Sequence, residues 1–225
     1  MCTVVVRWAP HDPPLILALR DELTSREFDD PAPWWPEQPT VVGGRDRLAG
    51  GSWCVTDTAT GVTALVLNRP QKRIADDGAP SRGVLPLLAV RHGVEWPSHL
   101  DTAGMASFAV VLVTPDSLTE WEFDGVMLTN TELGGGTHMV TSGGAEDGKR
   151  ERYLARFTAE PTAAAWQEVV EGEQPEDDLS ALVVRHEMGE RVYGTVFGQL
   201  IESTPSTYRL SYSRTPWQPG TWQAD

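Results

Sequence analysis

Cysteine is scarce in this chain: two in 225 residues, Cys2 and Cys54. Two cysteines do not make a disulfide framework, and no Cys-x-x-Cys or His/Cys cluster marks a structural zinc site. The five histidines (His11, His92, His99, His138 and His186) are scattered, with none at metal-ligand spacing. Basic residues are also few, 18 against 32 acidic, for a net charge of −14. That balance argues against non-specific binding of nucleic acid or an anionic membrane surface. No apolar run approaches the roughly 20 residues of a membrane-spanning helix. No basic segment followed by an apolar stretch marks a signal peptide. The expectation is a reduced, cytoplasmic protein without a membrane span. Nucleotide fingerprints are missing as well. Gly134-Gly135-Gly136 lacks the Lys-Ser/Thr of a phosphate loop, and Ser142-Gly143-Gly144 is not a nucleophile elbow. Nothing here requires a metal or a cofactor.

What the chain does contain is the composition of an ordinary globular protein, 40% hydrophobic and 22% charged, long enough for one large or two small domains. Its residue usage resembles that of a high-GC bacterial genome. Strand patterns dominate. Thr3 to Trp8 and Leu15 to Leu19 flank the turn His11-Asp12-Pro13-Pro14 and read as a hairpin. Ser52 to Thr56 and Val62 to Leu67 read as two further strands around a turn at residues 57–61. Together these four predict one antiparallel meander with Arg20, Asp21 and Asn68 at its polar strand ends. Residues 29–51, with four prolines and Trp34-Trp35, read as irregular, and residues 71–82 as a loop. Further along, Gly83 to Val90 predicts a short helix and Ser107 to Val113 a strong strand. Ser117 to Phe123 and Gly125 to Leu128 predict a pair of strands. Residues 149–171 carry a helical pattern interrupted at Pro161, and Leu179 to Val184 starts a helix or a strand. Thr195 to Glu202 and Thr207 to Ser213 read as closing strands, and the tail from Pro216 shows no pattern. The alternation indicates α+β with mostly antiparallel sheet.

Cys2 is the residue with the most chemistry. Methionine aminopeptidase removes Met1 when the next residue is small, and Cys2 then carries a thiol and a free α-amine together. The amine, with a pKa near ~8, can take the proton of a thiol whose pKa is near ~8.5. A nucleophile is activated in this way without a histidine. The hairpin brings Arg20 and Asp21 beside Cys2. Arg20 places positive charge near the thiol and favours the thiolate. Asp21 can orient the α-ammonium, and Asn68 carries an amide suited to a tetrahedral oxyanion. The plainer alternative is a surface Arg-Asp pair and a strand-ending turn at Asn68-Arg69-Pro70. Cys54, in mid-strand after Trp53, reads as a buried, inert thiol. Trp34, Trp35 and Trp53 read as core or as the wall of an apolar cleft.

Ala18-Leu19-Arg20-Asp21-Glu22 with Ser25-Arg26 resembles the Asn-Arg-Asp-Glu signature of the NRDE family, also called the Transport and Golgi Organisation 2 family. Gly44-Arg45-Asp46 with Gly50-Gly51-Ser52-Trp53 resembles its Gly-Arg-Asp and Gly-Gly-Thr-Trp segment. Ala64 to Asn68 is similar to its Ala-Ala-Leu-Thr-Asn strand, and Ser81-Arg82-Gly83 to its Ser-Arg-Gly. Gly136-Thr137-His138 through Ser142 resembles its Gly-x-His-x-Leu-Ser-Asn, and Tyr193-Gly194-Thr195 its Tyr-Gly-Thr.

The resemblance implies a single domain over residues 1–225 with the four-layer αββα sandwich of N-terminal nucleophile hydrolases, built on antiparallel sheets. It also implies cleavage of a linear amide of a small molecule, with Cys2, Arg20, Asp21 and Asn68 as the catalytic set. His138, Ser142 and Asn130 are the expected substrate contacts. The chain departs from the pattern at Leu19, Ala109, Ser142 and Val196, and Asn130 is the candidate for a displaced substitute for the asparagine missing at Ser142. The alternative implied by the family is a non-catalytic carrier of haem or an acyl compound on the same fold. His138 is then open to three roles: haem ligand, site residue, or a histidine satisfied by strand-end carbonyls.

Overall fold

The structure, a computed structural model, describes residues 2–69, 75–144 and 147–224. Among them the strands of the first half are β1 (Thr3–Trp8), β2 (Leu15–Leu23), β3 (Phe28–Ala32), β4 (Val41–Asp46), β5 (Cys54–Asp57) and β6 (Val62–Asn68). Helix α1 (Leu85–His92) follows, then β7 (Phe108–Val113), β8 (Leu118–Phe123), β9 (Leu128–Leu133) and β10 (Gly136–Thr141). Helices α2 (Gly148–Ala159) and α3 (Ala163–Glu171) precede β11 (Arg185–Met188), β12 (Arg191–Thr204), β13 (Thr207–Ser213) and β14 (Gln223–Ala224). No helix among the described residues is long and apolar enough to cross a membrane. The fold class is α+β, with two antiparallel sheets and few helices.

The chain divides into two compact units. One comprises Met1–Arg26, Gly135–Glu202 and Tyr208–Asp225; the other comprises Glu27–Gly134 and Ser203–Thr207. The first carries the sheet ordered β10-β1-β2-β12-β13-β14, with β11 on β12. The second carries a sheet whose seven strands, β3 to β9, pair in sequence order.

In the first unit the β1–β2 hairpin forms as its pattern predicts, with Thr3 opposite Leu19 and Arg7 opposite Leu15. Side chains alternate across a strand. Val5, Leu17, Leu19 and Met139 therefore share one face, and they pack with Tyr153 and Phe157 of α2 and Trp166 and Val170 of α3. Burying a side chain of this kind stabilises by about 1.5–3 kcal/mol. The two helices are separate because Pro161 lies between them and each has its own cap. The Asp147 side chain accepts from Lys149 N at the start of α2, and Thr162 from Ala165 N at the start of α3. Trp166 Nε1 donates to Phe157 O at 2.9 Å, so the indole is satisfied where it is buried.

The second unit corrects the sequence reading in three places. Residues 29–51 are irregular only in part: β3 and β4 form there, although prolines mask the pattern, and 33–40 and 47–51 remain outside strands. Gly43 is what allows β4 to close on β5, because a Cβ there would stand 2.4 Å from the Cys54 carbonyl oxygen. Residues 125–127 are a turn and not a strand, with Val126 N and Met127 N donating to Asp124 Oδ1. The predicted single meander is also two structures. β1 and β2 belong to one sheet and β4 to β6 to the other, so Arg20 and Asp21 stand in a different sheet from Asn68. In the first unit, Leu179 to Val184 forms neither helix nor strand beyond one bridge from Val184 to Glu176. Residues 71–74 of the predicted loop, and Pro70, lie outside the described residues.

Candidate active site

The hairpin and β10 build the site at one end of the first sheet. β10 pairs with β1 so that Thr3 faces Thr141, and this brings Ser142 level with Cys2. Two hydrogen bonds join them: Cys2 N donates to Ser142 Oγ at 2.8 Å, and Ser142 N donates to Cys2 O at 3.0 Å. The Cys2 thiol donates to the backbone carbonyl of Asp21 at 3.9 Å, a sulfur contact. Ser142 is buried, while Cys2 as a residue keeps some exposure.

The thiol is acidified less than Arg20 alone suggests. Burial pushes the Cys2 thiol above its usual range, and the charge of Asp21 adds to that rise, while Arg20 pulls it down. Desolvation wins because protein encloses the sulfur. Arg20 is itself buried, with its guanidinium 3.7 Å from Glu22 Oε2. Arg20 pulls toward the thiolate, but burial outweighs it and the net shift is upward.

Asp21 is the most heavily supported residue of the group. Its side chain is fully buried. By alternation it lies on the face of Leu17 and Leu19, which is the helix face. Thr195 Oγ1 donates to its Oδ1 at 2.7 Å, and Lys149 Nζ lies 3.6 Å from Oδ2. Its carbonyl accepts from Tyr193 Oη at 3.1 Å. Burial pushes the Tyr193 hydroxyl far above its usual range, which keeps it a donor. Thr195 Oγ1 also accepts from Val184 N at 2.9 Å. Gly194 lets this happen: a Cβ there would stand 2.5 Å from the Val184 carbonyl oxygen. All three residues of Tyr193-Gly194-Thr195 thus serve Asp21. The sequence contained that motif, but only the pairing of β12 with β2, with Thr195 opposite Asp21, reveals its purpose. Lys149 had no sequence signal beyond its place in a helical pattern.

The other predicted residues lie on β6, β9 and β10 and just after β10. His138 is half-buried on β10 opposite Val6, roughly 13 Å along the strand from Ser142 at ~3.3 Å per residue. Asn68 is the exposed last residue of β6, opposite Phe108. Asn130 is exposed on β9, opposite Trp121, in the second unit. Ser142 itself occupies the position beside Cys2. Cys54 is a free thiol and fully buried. In the second unit, segments 44–54 and 81–83 hold strand ends together. Ser52 Oγ donates to Gly44 O and Cys54 O, Asp46 Oδ1 accepts from Leu48 N and Ala49 N, and Arg82 reaches Ser107 O. Among the described residues no group of three or more His, Cys, Asp or Glu is arranged to hold a metal ion.

Cys2 lies just before β1, which sits between β2 and the outer strand β10 of an antiparallel sheet in an α+β fold. The structure is similar to that of the Caenorhabditis elegans N-acylethanolamine-hydrolyzing acid amidase (NAAA) ortholog, with a TM-score of 0.51 at 10% identity. The match covers 98% of this chain and 95% of that one, and it is a likeness of fold. In sequence, residues 1–106 match the model of the Transport and Golgi organisation 2 family. Those residues contain the first four resembling segments, up to Ser81-Arg82-Gly83; Gly136 to Ser142 and Tyr193-Gly194-Thr195 lie beyond them. No curated protein sequence matches the chain.

Proposed function

We propose that the chain is an N-terminal-cysteine hydrolase that cleaves a linear, non-peptide amide of a small molecule. The observation that carries this reading is the placement of Cys2. Its backbone nitrogen is held by Ser142 Oγ and its thiol is directed at the Asp21 carbonyl. The amide hydrolysis named for the similar C. elegans protein supports the same reaction class. So does the resemblance of the Arg20-Asp21 segment, which lies within the family match.

Once Met1 is removed, the nitrogen at Ser142 becomes an α-amine. The amine takes the thiol proton, and Cys2 Sγ attacks the amide carbonyl carbon. The C–N bond breaks as the proton passes to the leaving nitrogen, which departs as an amine and leaves a thioester on Cys2. Water then adds to the thioester, releases the carboxylic acid and returns the proton to sulfur. Ser142 fixes the amine and Asp21 receives the thiol.

The test is intact and peptide mass spectrometry of protein taken from cells and exposed to a panel of N-acyl amides. Expected are a mass lacking Met1 and a transient acyl adduct on Cys2. Retained Met1, or turnover by Cys2→Ala equal to wild type, would sink the reading.

A further inference from the structure

Lysine is used almost nowhere in this protein. Lys72 and Lys149 are its only lysines, and arginine supplies the rest of the 18 basic residues. Lys149 is fully buried. Its spacing explains how it comes to be so: Lys149, Tyr153 and Phe157 recur every four residues and form the buried stripe of α2. The Asp178 carboxylate feels the charge of Lys149, while the lysine's place in the helix does not favour a cation. Lys149 sits in the first turn of the helix, where the macrodipole disfavours positive charge. No hydrogen-bond acceptor among the described residues reaches its Nζ. The charge opposite it is Asp21, 3.6 Å away and equally buried. An apolar side chain at this point of the stripe would pack without any desolvation cost, so the pair is not what a core built for stability alone calls for.

Asp21 is at the same time the residue whose carbonyl receives the Cys2 thiol. One residue therefore links the ammonium of α2 to the sulfur. The charged and titratable groups acting on the thiol are Arg20 and Asp21 on β2, Tyr193 on β12 and the amine of the chain terminus, with Glu22 beside Arg20 and Lys149 behind Asp21. Of these, Asp21 opposes the thiolate and Arg20 favours it. Lys149 is placed to cancel the first.

We propose that Lys149 is a positioning residue of the Cys2 site, which neutralises Asp21 from behind and so leaves the Cys2 thiol free to ionise. The assignment rests on the reading of Cys2 as the working nucleophile. A purely structural ion pair would hold the fold and leave the thiol indifferent to the ammonium.

The experiment is the pH dependence of Cys2 alkylation by iodoacetamide in the full-length protein, read by peptide mass spectrometry so that Cys54 is counted separately. Lys149→Met is expected to move the midpoint up by about one pH unit, a tenfold lower rate below the midpoint. Lys149→Arg, which keeps the charge, is expected to stay near wild type. An unchanged midpoint in folded Lys149→Met overturns the proposal. If Lys149→Met does not fold, the uncharged pair Asp21→Asn/Lys149→Met is measured instead. Its midpoint is expected near that of wild type, because the two charges cancel in the native protein; a midpoint clearly below wild type, the sign of an uncancelled Asp21 charge, overturns the proposal. Alkylation needs no substrate, so the two ideas fail separately. A shift without amide turnover removes the hydrolase and keeps the coupling, whereas turnover without a shift removes the coupling alone.

Discussion

Cys2 and Ser142 are joined by two hydrogen bonds, one in each direction, between residues 140 positions apart. The exchange fixes the nitrogen of Cys2 at the end of β1 and defines which atom a mature α-amine would face. Ser142 thus anchors the backbone nitrogen of Cys2 through its side chain.

Ser142→Ala removes the side-chain acceptor and leaves the backbone bond from residue 142 to Cys2 O. A hydrogen bond of this kind contributes about 1 kcal/mol net. Cys2 alkylation or amide turnover is expected to slow about fivefold, the rate equivalent of that energy. Stopped assays at fixed pH on the folded variant measure it; an unchanged rate would remove the anchor role.

Thr195→Val keeps the shape but strips the donor from Asp21 Oδ1 and the acceptor from Val184 N. Leaving such buried groups unsatisfied costs about 1–3 kcal/mol. Urea unfolding should show a lower midpoint at unchanged slope, and Thr195→Ser should recover most of the loss.

Trp166→Ala opens the core between α2, α3 and the first sheet. It removes the indole bond to Phe157 O and the edge contact with the Phe157 ring, whose centroid is 5.6 Å away. Loss of a buried tryptophan costs about 3–5 kcal/mol. The variant should unfold at clearly lower urea, with the loss of tryptophan absorbance taken into account when fluorescence is the probe.

Asp29 predicts how stability responds to acid. Hydrogen bonds from Arg45 and then Arg47 hold its carboxyl below the usual carboxylate range. A depressed folded value means the folded state binds its proton less tightly than the unfolded chain, whose value is about 3.9. The contribution is fully present above that pH and is lost as pH falls through the folded value. Melting temperature measured from pH 7 down to pH 2 should fall less steeply in Asp29→Asn than in wild type. Parallel curves would show that the cluster contributes nothing.

Local features of the sequence decided much of this molecule. The apolar runs Val4-Val5-Val6 and Leu15 to Leu19, with a Pro-rich turn between, determine the hairpin and therefore set Arg20 and Asp21 near Cys2. Pro161 divides the helical stretch, and Asp147 and Thr162 cap its pieces, all through contacts within three residues. What lies between prolines was harder to see, because Pro31, Pro33, Pro36 and Pro39 interrupt the period of β3 and β4. The purpose of Asp21 was out of reach of any local pattern. Its partners Tyr193 and Thr195 are 172 and 174 residues away and arrive only when β12 pairs with β2. Lys149 arrives only when α2 turns its buried stripe toward the sheet. The sequence by itself determined which residues could do chemistry. The tertiary structure decided that Asp21 takes Thr195 and Lys149 on one face while its carbonyl meets the Cys2 thiol. That decision is a matter of strand register and helix docking, which depend on side chains far apart in the chain packing together.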